Sequence, residues 1–258
     1  MNILLLWSGI ADPNKPLPRE LDAAALARHA AHDSVPSPFD EAALEIALKL
    51  RDRDPAIRIA AWCAGSEALA RRLAAYPVQT PALLQTLPPP WDAAARVQAL
   101  TALRPGLPFA PDLVLLGREF GDWDDGSLPV LLARAWELPH LSLATAIEAQ
   151  GDRLVVTRQS GAALELVHAG APLLVTATNA AANKLRHPLM KNVMLAKRAQ
   201  LPVLGAAVGA AGTALAALHH AEPAPRALAC ELLGGSAEEQ ARALADRLAG
   251  LLAGGGAR

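Results

Sequence analysis

Aromatic residues are scarce in this chain, 3% of 258 residues, although 52% of it is hydrophobic. Small aliphatic side chains, alanine above all, must therefore build the interior, which points to helices packed closely on a sheet. Cysteine is scarcer still. Cys63 and Cys230 form neither a metal-binding pattern nor a disulfide framework, and a reducing cytoplasm fits them. A net charge of −1 without a basic stripe argues against nucleic acid as partner. Reactive motifs are missing too: there is no GK[ST] phosphate loop, GxSxG, HExxH, or GxGxxG after a strand. The seven histidines are scattered, and even His219–His220 has no third ligand nearby in sequence. Such a chain reads as a binding subunit rather than an enzyme, with no resident metal.

Membrane-spanning runs are lacking as well. Leu201–Leu218 carries no charge, but it is mostly alanine and glycine and begins Leu–Pro. Spanning takes roughly 20 strongly apolar residues, so a loop with a buried strand or short helix is expected there. The opening MNILLLWSG has no basic leader or small-residue cleavage site and reads as a first strand.

What is present is a repeated strand–turn–helix plan, enough for one large domain or one domain with an appendage. Its fullest statement is Pro111–Pro139. A short apolar run, Leu113–Leu116, is followed by Gly117, an acidic loop, and the periodic run Val130–Trp136. A helix starting near Leu128–Pro129, capped by Ser127, would aim free N–H groups into that loop. The loop sets Glu119, Asp122, Asp124 and Asp125 against Arg118. Four carboxylates repel a phosphate, so sugar hydroxyls or backbone capping suit them better, and a plain solvated loop is the competing reading.

Along the rest of the chain, Ile3–Leu6 reads as a central parallel strand, buried on both faces and turning at Trp7–Gly9. Leu21–His32 could be helical. Ser37 caps a helix with Pro38 at its first position, Asp40 and Glu41 in its first turn, and Phe39, Ala43, Ile46 and Leu50 on one face. Ile57–Trp62 is a second strand, and Ser66 caps a helix to about Ala75. Cys63 ends that strand, either as a buried small residue or as a gap that lets a ligand approach. Pro77–Pro90 is a proline-rich connection and Asp92–Leu103 a helix. Leu141–Glu148, Arg153–Thr157 and Leu164–Ala169 form an antiparallel excursion, after which Pro172–Thr176 returns to the sheet. A polar loop from Asn179 leads into a helix-prone stretch. Ser236 and Glu239 make a capping box before a final helix with Ala241, Leu244, Leu248 and Leu251 on one face.

Taken in order, several of these pieces resemble the β subunit of an electron transfer flavoprotein. Asp12–Pro13 is similar to the turn after that family's first strand. SPFDEAALEIALKL (Ser37–Leu50) resembles its NPFDE-type helix start, and AWCAG (Ala61–Gly65) the end of its second strand. Pro111–Pro139 follows its strand, acidic loop and helix without a gap. APLLVT (Ala171–Thr176) and NKLRHPLMKNVMLAKR (Asn183–Arg198) resemble its later strand and recognition loop.

The resemblance implies an α/β, Rossmann-like fold of the adenine nucleotide α-hydrolase type, with a parallel sheet and helices on both faces. Residues 1–200 would form this domain, and residues 201–258 an arm and helix packing on an α subunit. That subunit would hold the redox FAD, with AMP as a nucleotide of this chain. Carried over by motif, cofactor contacts fall on Leu6, Ser37, Pro38, Phe39, Asp40, Cys63, Gly117, Arg118, Glu119, Asp122, Asp125, Gly126, Ser127 and Leu128. Docking of a flavin or iron–sulfur dehydrogenase falls on Asn183, Arg186, His187, Met190 and Lys191, with electrons passing on to an acceptor such as a quinone oxidoreductase. The family's Gln-Thr-Gly is Ser127–Leu128–Pro129 here, which removes two polar phosphate contacts and one N–H. A stand-alone adenine-nucleotide-binding module without redox role, and an enzyme of the nucleotide α-hydrolase type, are the alternatives.

Overall fold

The computed structural model describes residues 1–16, 22, 24–25, 34–85, 87–121, 125–151, 153–205, 212–213, 216–217 and 232–254. The expected helix at Leu21–His32 falls almost wholly outside them. Contacts divide the chain into two compact units, Met1–His219 and His220–Arg258.

The first unit is built on a ten-stranded, mostly parallel sheet of Rossmann-like kind. At its centre is β1 (Asn2–Ala11), flanked by β3 (Arg58–Ala64) on one side and β5 (Leu113–Gly117) on the other. Beyond β3 lie β4 (Thr80–Gln85) and β10 (Val203–Gly205). Beyond β5 lie β9 (Leu173–Ala177), β6 (His140–Gln150), β7 (Arg153–Ser160) and β8 (Ala163–Gly170), the last two antiparallel. Side chains alternate along β1. Ile3, Leu5 and Trp7 face one core with α1 (Pro38–Arg53) and α2 (Glu67–Ala74). Leu4 and Leu6 face the other with α3 (Ala93–Leu103) and α4 (Ser127–Ala135), where Trp62 meets Trp136 edge to face at 6.4 Å. Helices thus cover both faces, and the short α5 (Met190–Arg198) lies beside α2.

The capping signals around Ser37 place α1 correctly. The Ser37 hydroxyl accepts the Asp40 N–H at 3.0 Å, and Pro38 opens the helix. That cap is worth about 1 kcal/mol. Burial contributes more: Leu44, Ile46, Leu48 and Leu50 are each at most 2% exposed, at about 1.5–3 kcal/mol apiece. The helix is buried beyond its expected stripe because the segment after β9 covers its outer side.

Three local expectations are corrected. Trp7–Gly9 is not a turn: β1 runs on to Ala11 and pairs antiparallel with β2 (Ser34–Pro36). The Pro77–Pro90 connection contains β4, which tolerates Pro81 because β10 pairs only with Leu83–Gln85 and leaves the Pro81 end as an edge. Ser127 is the first residue of α4 and not its cap, which is Gly126 in a left-handed conformation (φ 66°).

In the second unit, α6 (Ala237–Gly254) begins with the expected capping box. Ser236 N–H donates to Glu239 Oε2 at 2.7 Å, and Glu239 N–H donates to Ser236 Oγ at 3.3 Å. No helix among the described residues is long and apolar enough to cross a membrane.

Candidate functional site

Parallel strands β1 and β5 pair from Ile3 and Leu113 as far as Leu6 and Leu116, and then part. Beyond that point β1 stays with β3 (Trp7 opposite Cys63), while Gly117 stays with Ala177 of β9. This is the topological switch point of the sheet, where open α/β folds receive ligands. Here the crevice receives the chain's own carboxylate. Asp40, from the first turn of α1, is wholly buried; its Oδ1 accepts the Gly117 N–H at 3.1 Å and its Oδ2 accepts the Ser37 hydroxyl at 2.8 Å. The Ser8 N–H donates to the same carboxyl. Burial pushes its pKa up to about 7, opposed by the bonds from Ser37, Gly117 and Ser8, with Glu119 adding to the rise. Burial likewise pushes the Cys63 thiol well above its ordinary range, and the Asp40 carboxylate adds to that shift.

Only glycine fits at the end of β5. A Cβ on Gly117 would lie 2.7 Å from Asp40 Oδ1, 2.8 Å from Asp40 N and 2.9 Å from the Phe39 carbonyl carbon. Next in the chain, the Arg118 guanidinium stacks over the half-buried Phe39 ring at 4.5 Å and bonds Glu119 at 2.9 Å. Ser37, Phe39, Asp40, Gly117, Arg118 and Glu119 are therefore brought together, while Pro38 is exposed at the start of α1. Leu6 and Cys63 are fully buried, in opposite cores. Asp122 lies outside the described residues.

The remaining expected contacts, Asp125–Leu128, surround the start of α4. Asp125 Oδ1 accepts the Ser127 N–H at 2.9 Å, Pro129 has no N–H, and the Leu128 side chain is buried in the core. Asp125 thus satisfies one of the free N–H groups at the start of α4. Beside them is a cleft of about 500 Å³ lined by Arg118, Asp125, Gly126, His140, Ser142 and Thr176. His140 Nε2 is buried without a hydrogen-bond partner among the described residues, and burial lowers the pKa of the ring. Sequence reading missed this polar pair of strand ends, since His140, Ser142 and Thr176 carry no motif.

A third cluster holds the segment after β9. Lys49 of α1 donates to Ala182 O at 2.5 Å and to Asn183 Oδ1 at 3.0 Å, and buried Asn183 donates to Thr145 O at 2.7 Å. Arg186 grips Glu45 through Nε and Nη2, down to 2.7 Å, and reaches Asp52 at 2.6 Å. Glu45 beside it holds the guanidinium charged, well above its ordinary range. Asn183 is buried, whereas Arg186, though held by Glu45 and Asp52, is exposed like His187, Met190 and Lys191.

The electron transfer flavoprotein domain matches residues 25–209, well over half of the chain. The chain belongs to the electron transfer flavoprotein family. Among curated relatives it is similar to the electron transfer flavoprotein subunit beta of Syntrophomonas wolfei, 28% identical over 193 residues, covering 74% of this chain and 75% of that one. The Megasphaera elsdenii subunit beta is 30% identical over 189 residues, covering 69% of each chain. That of Dictyostelium discoideum is 26% identical over 176 residues, covering 65% and 66%. It is a divergent beta-subunit member at these identities.

In this electron transfer flavoprotein chain the pair Glu45–Arg186 has a stability consequence. The Glu45 side chain is 6% exposed and that of Arg186 is 40% exposed. Arg186→Met leaves a buried carboxylate without its cation. The expected loss is about 2 kcal/mol, discounted from a fully buried pair because the arginine is partly solvated. A urea titration of the variant checks it, and an unchanged midpoint would make the pair dispensable.

Proposed function

We propose that this chain is the scaffolding beta subunit of a heterodimeric electron transfer flavoprotein, an electron carrier rather than a catalyst. Its alpha partner holds the FAD. Electrons enter from a dehydrogenase with its own flavin or iron–sulfur centre and leave to an acceptor such as a quinone oxidoreductase. The flavin supplies the redox chemistry, and the protein supplies position and surroundings. Residues of this chain close the switch point with Asp40 and set the Phe39–Arg118 stack beside it. Within residues 201–258, β10 belongs to this chain's own sheet, and the arm and helix beyond it are assigned to packing on the alpha subunit, for which Leu244 and Leu248, each 49% exposed on α6, offer apolar contact.

The observation that carries the reading is an exposed apolar surface at α5 and the residue before it. Leu189 is 71% exposed, Met190 74% and Leu195 60%. Exposed apolar side chains gathered on one short helix mark a docking site, and methionine suits adaptable contact. A stand-alone adenine-nucleotide-binding module, without redox role, is the lesser reading because the chain matches the electron transfer flavoprotein domain over residues 25–209.

Met190→Ala in the heterodimer is expected to slow reduction by the partner dehydrogenase several-fold while FAD content stays unchanged, an effect in the range of a moderate interface anchor. Stopped-flow reduction at a series of dehydrogenase concentrations measures it. Equal rates for variant and parent would remove this segment from docking.

A further inference from the structure

The docking helix α5 has little of its own to keep it in place. It is nine residues long, Leu189 precedes it without a side-chain cap, and Ala196 is its one buried residue. Helices this short are marginal alone in water. Entry to the helix is fixed by Glu45, Lys49 and Asp52 of α1, as described above. Its exit is fixed by a residue no motif singles out. Arg71 of α2 directs Nη1 at three carbonyls of the last turn: Ala196 O at 3.1 Å, Lys197 O at 3.0 Å and Ala199 O at 2.9 Å. Its other two nitrogens are held by Glu67 Oε1, at 2.9 Å from Nε and 2.5 Å from Nη2. A cation on the free carbonyls of a helix C-terminus satisfies them and complements the dipole. Glu67 sits four residues earlier on the same helix, so it locks the guanidinium plane in the orientation this contact needs.

We propose that Arg71, oriented by Glu67, is the positioning residue of the docking surface, holding α5 so that Leu189, Met190 and Leu195 are presented to the partner dehydrogenase already ordered. The proposal rests on the electron-carrier reading given above. An ordered surface binds without the cost of folding a loop at the moment of contact, so loss of Arg71 weakens docking and leaves electron transfer within the docked complex alone.

The test uses the purified heterodimer and the dehydrogenase that reduces its parent form. Arg71→Met keeps the aliphatic stem against α5 and removes the donors. The expected result is a rise of about tenfold in KM for the flavoprotein, with kcat within twofold and flavin content unchanged. Arg71→Lys, which can reach a carbonyl but not span three, is expected to recover part of that rise. Amide hydrogen exchange across residues 190–199 is expected to quicken at least tenfold in Arg71→Met, with β1 and β5 unaffected. Unchanged exchange and unchanged KM would overturn the proposal, as would a fall in kcat and flavin content together, which would make Arg71 a general structural residue. Failure of the parent heterodimer to accept electrons would instead overturn the electron-carrier reading, and the exchange measurement would still decide whether Arg71 holds the helix.

Discussion

Gly117→Ala is expected to destabilise the protein by about 3 kcal/mol or to prevent folding, the upper end of the range for overpacking a tight interior. The new methyl group would meet Asp40 N at 2.8 Å and the Phe39 carbonyl carbon at 2.9 Å, both backbone atoms of a buried helix start. Neither can swing away as a side chain could. Relief requires α1 to back off from β5, which breaks the Gly117 N–H bond to Asp40 Oδ1 and exposes the carboxyl that closes the switch point. Urea denaturation followed by far-UV circular dichroism measures the loss. A midpoint equal to the parent's would show that the approach of α1 to β5 is looser than these distances imply.

The second large effect concerns pH. Asp40 has its pKa raised from 3.8 to about 7 in the folded protein, chiefly by burial. Folding therefore takes up a proton wherever the unfolded carboxyl is ionised and the folded one is not. Stability is greatest below the unfolded pKa, falls as pH rises from about 4 to about 7, and is level above that range as far as this group is concerned. The full span corresponds to on the order of 4 kcal/mol. Asp40→Asn replaces the carboxyl with a neutral group of similar shape. Its oxygen can accept from the Gly117 N–H and its nitrogen can donate to Ser37 Oγ. The variant is expected to lose the fall between pH 4 and pH 7 and to match or exceed the parent at pH 8. Denaturation midpoints at five pH values test this, and parallel curves for parent and variant would refute it.

Local signals in the sequence placed much of this architecture. Ser37, Pro38 and the first-turn acids fix the start of α1 within a few residues of chain, and Ser66 and Ser236 do the same for α2 and α6. The contacts that give the site its character are not local. Asp40 reads as an acid favoured by a helix dipole, whereas its decisive partner Gly117 lies 77 positions away. Arg71 belongs to no motif, and its carbonyl partners are 125 to 128 positions distant. At Ser127 the expected cap failed for a different reason. Gly126 adopts a left-handed conformation that shifts the helix start by one residue and hands the capping bond to Asp125. Side-chain type was legible in each case, but the partner was not.

The role of this chain is tested most directly by co-expressing it with an alpha subunit and purifying what assembles. The account predicts a yellow one-to-one heterodimer that releases FAD on denaturation and is bleached by a reducing dehydrogenase. A stable, colourless homodimer that binds ATP would contradict it.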